Sequence, residues 1–111
     1  MNLASLIEER YVNFVDLCKI HKVDKLYAFG SSVTDHFDPQ RSDIDFVVKL
    51  QIDNPVDRGE ALMSLWDKLE ELFQRKVDLL TDDSIRNPYL KSSIERTKQL
   101  VYDGEGEKVL I

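Results

Sequence analysis

The sequence predicts an α/β domain, and three observations carry that reading. Apolar residues recur at helical spacing near the start, short apolar segments bounded by turn residues follow, and a second long amphipathic stretch separates two of those segments. From Leu3 to about His21, the residues Leu3, Leu6, Ile7, Tyr11, Phe14, Val15 and Cys18 form one stripe, with Glu8, Glu9, Arg10 and Asp16 mostly opposite it. One amphipathic helix is expected there. Lys25-Leu26-Tyr27-Ala28-Phe29 reads as a buried strand running into Gly30, and Phe46-Val47-Val48-Lys49-Leu50 continues a second strand. Asp53-Asn54-Pro55 offers a helix start with proline near the first turn, after which Leu62, Leu65, Trp66, Leu69, Leu72 and Phe73 share a face. Arg75-Lys76 ends that helix, and Val77-Asp78-Leu79-Leu80-Thr81 is a third strand. Asn87-Pro88 opens a short helix to about Glu95, Gln99-Leu100-Val101-Tyr102 adds an edge strand, and Asp103 to Lys108 reads as a solvated tail. Periodicity does not separate parallel from antiparallel pairing.

Composition narrows the function. A chain of 111 residues holds one core, so residues 1–111 are expected to form a single domain. With 42% hydrophobic and 32% charged residues and a net charge of −6, no basic stripe is available to neutralise a phosphate backbone, so stable nucleic-acid binding is not expected. The one cysteine, Cys18, falls at a core position; it excludes an intramolecular disulfide and points to a reducing compartment, the cytoplasm. Glu8 and Glu9 interrupt the place of a signal-peptide core, and no apolar run approaches the roughly 18 residues of a membrane span. His21 and His36 match no zinc pattern with Cys18 and read as surface or loop histidines. Trp66 reads as a core residue, and Tyr11, Tyr27, Tyr89 and Tyr102 as packing residues.

The chemistry concentrates around Gly30-Ser31 and Ser42-Asp43-Ile44-Asp45-Phe46. Strand side chains alternate between faces, so Asp43 and Asp45 project together while Ile44 and Phe46 point to the core. Two carboxylates so placed repel unless a cation lies between them, and a hard divalent ion such as Mg²⁺ suits oxygen ligands. Asp78, between Val77 and Leu79, adds a third carboxylate from a neighbouring strand. Three acids can hold two metal ions, an arrangement that stabilises the attacking and leaving oxygens of a displacement at phosphorus. Gly30 permits close backbone approach, and Ser31 and Ser32 are expected to cap a short helix begun by Val33-Thr34-Asp35, a setting that favours phosphate oxygens.

Gly30-Ser31, Asp43-Ile44-Asp45 and Val77-Asp78-Leu79 together resemble the signature of the nucleotidyltransferase superfamily related to DNA polymerase beta. Within it the chain is most similar to minimal nucleotidyltransferases, often antitoxin partners of HEPN-domain toxins, over roughly Val23 to Tyr102. The resemblance implies an α/β fold of the α+β kind, a small mixed sheet flanked by helices. It also implies that Gly30 and Ser31, with Ser32 beside them, bind the nucleotide, that Asp43 and Asp45 bind Mg²⁺, and that Asp78 completes the metal site and helps activate the acceptor hydroxyl. The implied reaction moves a nucleoside monophosphate, AMP from ATP, onto a hydroxyl of a partner protein, with a tyrosine of a HEPN toxin the typical acceptor. Two departures stand out. Eleven residues separate Ser31 from Asp43, one more than usual in the minimal enzymes, and Val33-Thr34-Asp35 replaces the common Ala-Arg-Gly. Arg41, or His36, is the candidate replacement for the missing arginine. Two other classes remain open: an antitoxin that masks its partner by contact alone, and a nucleotide-binding regulatory domain that assembles as an oligomer.

Overall fold

The structure, a computed structural model, describes residues 2–34, 37–38, 40–105 and 108–109, and not the side chains of the last two. The helices are α1 (Leu3–Glu9), α2 (Tyr11–Ile20), α3 (Pro55–Phe73) and α4 (Pro88–Thr97), and the strands are β1 (Val23–Ala28), β2 (Ile44–Leu50), β3 (Val77–Leu80), β4 (Gln99–Asp103) and β5 (Lys108–Val109). They form a mixed sheet of order β3-β2-β1-β4-β5, in which only β2 and β3 are parallel. A parallel pair cannot be closed by a tight turn and needs a crossover, which α3 supplies. Asn54 starts α3 by accepting the backbone N–H groups of Val56 and Asp57 at 2.9 and 3.1 Å, with Pro55 in the first turn. Gln74 stops it in a left-handed conformation.

The predicted stripes meet on one face of the sheet. Leu65, Leu69 and Phe73 of α3 pack with Phe14 and Cys18 of α2 and with Leu3 and Ile7 of α1 over Ile44, Phe46, Val48, Val77 and Leu79. Phe73 sits between two other rings, 6.0 Å from Phe14 and 6.4 Å from Phe46. The other face is covered only in part. There α4 packs Ile94 against Phe29, Val47 and Ile85 in a smaller cluster.

Several expectations are corrected. The helix expected from Leu3 to His21 is two helices, broken at Arg10, whose Nε donates to the Leu72 carbonyl at 3.0 Å while another guanidinium nitrogen donates to Leu6 at 3.3 Å. The end of α3 thus anchors the bend, and Tyr11, counted in the stripe, is 48% exposed. His21 is neither a surface nor a loop residue of the expected kind: it is buried at the end of α2. Its Nδ1 lies 2.7 Å from the Leu17 carbonyl, which can only accept, so Nδ1 carries a proton, and Nε2 is hydrogen-bonded with the Ser64 hydroxyl at 2.9 Å. The segment read as a solvated tail turns back at Gly104, whose N–H donates to the Asp24 carbonyl at 2.7 Å, and β5 pairs with Tyr102 and Asp103. Consequently β4 is not the sheet edge on that side. Trp66 packs against the core as expected, with its indole N–H donating to the Val77 carbonyl at the start of β3. Cys18 is fully buried as expected, and burial pushes its thiol up to about 12. Asp35, His36 and the end of the chain from Leu110 lie outside the described residues. Among the described residues, no helix is long and apolar enough to cross a membrane.

Truncating the α3 stripe tests this packing. Leu69→Ala should destabilise the fold by about 3 kcal/mol in urea unfolding, whereas Met63→Ala, at a position 58% exposed, should cost under about 0.5 kcal/mol. Equal effects would mean that α3 does not pack by this face.

Candidate active site

Parallel pairing fixes the site. In the β2–β3 register Ile44 lies beside Val77 and Asp45 beside Asp78. Ile44 and Val77 point into the core, so Asp45 and Asp78 emerge together on the face away from it. A hydrogen bond between two such carboxyl groups requires a proton on one of them. Burial, then the charge of Asp78 and that hydrogen bond, then the charge of Asp43, raise the Asp45 pKa from 3.8 to about 6, and Lys76 acts in the opposite sense. Asp43, one residue ahead of β2, is exposed.

The backbone of Asp45 is held on both sides. Its N–H donates to the Ser32 hydroxyl at 2.8 Å, and its carbonyl accepts the Phe29 N–H at 3.0 Å. This differs from the helix-cap role expected for the serines. Gly30–Val33 is a single 3₁₀ turn, the preceding Phe29 gives no side-chain cap, and Ser31 and Ser32 lie inside the turn. Ser32 is 2% exposed and commits its hydroxyl to Asp45, while Ser31 remains exposed. Gly30 has φ +63°, and a Cβ there would approach Oδ2 of Asp45 to 3.3 Å. The glycine therefore permits both the turn and its contact with the acid. Its N–H donates to Thr97 Oγ1 at 3.2 Å, and the Thr97 hydroxyl donates to the Ser93 carbonyl at 2.8 Å, which ties the turn to α4.

Arg41 is exposed in the turn closed by the Asp38 carbonyl, which accepts the N–H groups of Arg41 and Ser42 at 3.1 and 2.9 Å. Among the described residues its guanidinium makes no hydrogen bond or ion pair with the acids. His36 lies outside the described residues. Thr97 and Lys76 were missed by the sequence reading. No motif marks Thr97, whereas Lys76, two residues before Asp78, could have been found from the same alternation that placed the acids.

The donor chemistry fits Mg²⁺. All candidate ligands are carboxylate oxygens, and that ion is usually held by one or two carboxylates together with substrate phosphates. Among the described residues no three His, Cys, Asp or Glu side chains form a ready metal cage, so Asp45 and Asp78 are the assembled part of the site.

A glycine turn set against paired strand acids is thus the assembled geometry at this end of the sheet. The sequence profile of the nucleotidyltransferase domain matches residues 15–101, and the chain belongs to that family. A protein of Methanocaldococcus jannaschii, provisionally named a protein adenylyltransferase, is 39% identical over 82 residues, covering 74% of this chain and 78% of the relative. The fold is shared with a crystal structure of a toxin–antitoxin with AMP-PNP, with TM-score 0.60 and 23% identity over 85% of this chain and 74% of that one. It is shared too with a structure provisionally named a minimal nucleotidyltransferase, with TM-score 0.59 and 22% identity over 89% of this chain and 95% of that one.

The raised pKa of Asp45 predicts its effect on stability. A folded-state pKa above the unfolded one means that the carboxyl favours folding most below about pH 3.8 and that this contribution is lost as pH rises through about 6. In divalent-free buffer, Asp45→Asn should raise Tm by a few degrees at pH 7.5, or about 1 kcal/mol once solvent screening is allowed for, and by less at pH 4. A variant no more stable than the wild type at pH 7.5 would contradict the crowded-acid geometry.

Proposed function

We propose that this chain transfers AMP from ATP to a hydroxyl of a partner protein, a HEPN-type toxin, and so acts as an antitoxin. The observation that carries the reading is the β2–β3 register, which sets Asp45 beside Asp78 with Gly30 in contact with Asp45. The adenylyltransferase name of the relative and the toxin–antitoxin fold neighbour support the substrate and the partner class.

In the reaction, the acceptor hydroxyl oxygen forms a bond to the α-phosphorus, and the bond from that phosphorus to the bridging oxygen of the β-phosphate breaks. Pyrophosphate leaves with that electron pair. The hydroxyl proton passes to a carboxylate oxygen of Asp78. The turn at Gly30 and Ser31 receives the terminal phosphates, and the Ser32 hydroxyl keeps the Asp45 backbone in place during transfer. Asp43, Asp45 and Asp78 would hold two Mg²⁺ ions, which when bound supply Lewis-acid polarisation of the phosphoryl oxygens and offset the charge of the triphosphate. Masking by contact alone is the second reading, favoured by Val33-Thr34 standing where the resemblance expects an alanine and an arginine.

Incubation of the protein with α-labelled ATP and Mg²⁺ in a lysate of the source organism should label a discrete protein. Asp43→Asn with Asp45→Asn should reduce that label on the order of a thousandfold. Undiminished label in the double variant would remove the acids from the chemistry, and undiminished neutralisation of a toxin by an unlabelling variant would establish masking. Arg41→Ala should weaken Mg·ATP binding about tenfold in calorimetry if this arginine replaces the missing one; unchanged affinity would remove it from the nucleotide site.

A further inference from the structure

Strand register sets Asp45 beside Asp78, but Asp43 precedes β2 and is exposed, so the sheet pairing alone does not set it. The chain reaches it through a small loop. The Asp38 carbonyl accepts the N–H groups of Arg41 and Ser42, the Asp38 N–H donates to Ser42 Oγ at 2.8 Å, and the Gln40 N–H donates to Asp38 Oδ1 at 2.9 Å. These bonds fix the shape of the loop without fixing its place against the sheet.

Arg75, in the turn between α3 and β3, supplies that link. Its Nη1 donates to the Asp38 and Ser42 carbonyls at 3.3 and 3.2 Å, and its Nε donates to the Phe73 carbonyl at the end of α3 at 3.3 Å. The guanidinium also lies 5.7 Å from the centre of the buried Phe37 ring. All three bonds go to backbone carbonyls. A planar guanidinium presents its donors in a rigid fork, so one side chain can hold several backbone groups in fixed relation.

The Ser42 carbonyl belongs to the peptide that precedes Asp43. The peptide that follows Asp43 is held too, since the Ile44 N–H donates to the Lys76 carbonyl at 3.2 Å. Both peptides flanking Asp43 are therefore fastened to Arg75-Lys76, the pair of residues that leads into β3 and Asp78. That pair is anchored in turn, because the next residue, Val77, donates its N–H to Glu70 Oε2 of α3 at 2.9 Å. The guanidinium is within charge range of the acid as well: burial, then the charge of Arg10, lower the Arg75 pKa, whereas the charges of Asp38 and Asp43 act in the opposite sense.

From this we infer that Arg75 is the positioning residue for Asp43, clamping the loop before β2 to the end of α3 so that the third carboxylate joins Asp45 and Asp78 in one cation site. The inference rests on the proposed role of the three acids as Mg²⁺ ligands. Arg75 acts through Asp43 and through the Ser42 carbonyl, not by contact with the ion or the nucleotide.

Mn²⁺, a spectroscopic stand-in for Mg²⁺, gives a readout that does not depend on turnover. Its affinity is measured by electron paramagnetic resonance for the wild type, Arg75→Met, Arg75→Lys, Asp43→Asn and the double variants that combine each Arg75 change with Asp43→Asn, with amide hydrogen exchange alongside. Asp43→Asn and Arg75→Met should each weaken Mn²⁺ binding about tenfold. The double variant should be no more than about twofold weaker than Asp43→Asn alone, because two residues that act as one unit do not add. Arg75→Lys, which keeps the charge but loses the fork, should fall with Arg75→Met, and it carries the same comparison if Arg75→Met does not fold. In the Arg75 variants the Arg41 and Ser42 amides should exchange at least about tenfold faster than in the wild type, while the Phe46 amide keeps its rate. Wild-type Mn²⁺ affinity in Asp43→Asn or in either Arg75 variant, losses that multiply in the double variants, or unchanged exchange at Ser42 would each overturn the inference. A wild type that binds no Mn²⁺ fails the proposed metal role itself and takes the inference with it; the two failures are told apart because this one appears before any substitution is made.

Discussion

The parallel pairing of β2 with β3 is the constraint on which the rest of the structure depends. It is the only parallel contact in the sheet, and it alone requires a long crossover, so the 19 residues of α3 are a consequence of it. The crossover in turn provides the stripe of Leu65, Leu69 and Phe73 that buries the inner face of both strands. A shift of one residue in this register would expose Ile44 and Phe46 and bury the acids, so the core and the site are specified by the same alignment. That coupling explains how two neighbouring strands can carry repelling carboxylates at adjacent positions: the apolar residues on either side of each acid hold it there.

Repulsion between the acids is contained by local bonds as well as by the core. Ser32 and Phe29 fix the Asp45 backbone, and Gly30 leaves room for its carboxylate. Thr97 then links the glycine turn to α4, which packs on the face away from the main core. The site is therefore built where three different elements meet, and none of these links would survive a change in strand order. Its remaining strain is electrostatic, stored in a carboxyl group whose pKa is raised to about 6. A cation placed between the carboxylates would relieve it.

Much of this was legible in the sequence, for identifiable reasons. Strand alternation placed Asp45 and Asp78 because each lies between buried apolar residues, and Asp43 because it stands two residues before Asp45, while helical spacing located α3 because its stripe is long and properly capped. The break at Arg10 was not legible, since neither glycine nor proline marks it and its cause is a bond to Leu72, 62 residues away. His21 and Ser32 were misassigned for a related reason. Each has a polar group that is ordinary at a surface, and only tertiary partners, Ser64 and the Asp45 backbone, make burial acceptable. The return of the chain at Gly104 depends on close packing against the backbone, where a Cβ would come within 2.3 Å of the Val23 carbonyl. Composition of the segment, rich in charge, gave no hint of that contact.

The asymmetry of the site follows from the same strand order. Because β3 is the sheet edge while β1 is flanked by β4, the acids are enclosed on the glycine side and open on the lysine side. On the enclosed flank the backbone and hydroxyl groups of the Gly30–Val33 turn and Thr97 are already tied to one another and to Asp45. Lys76, exposed at the start of β3, stands beside the open flank. Thus one topological choice, placing a parallel strand at the edge, leaves the two flanks of the paired acids unequal.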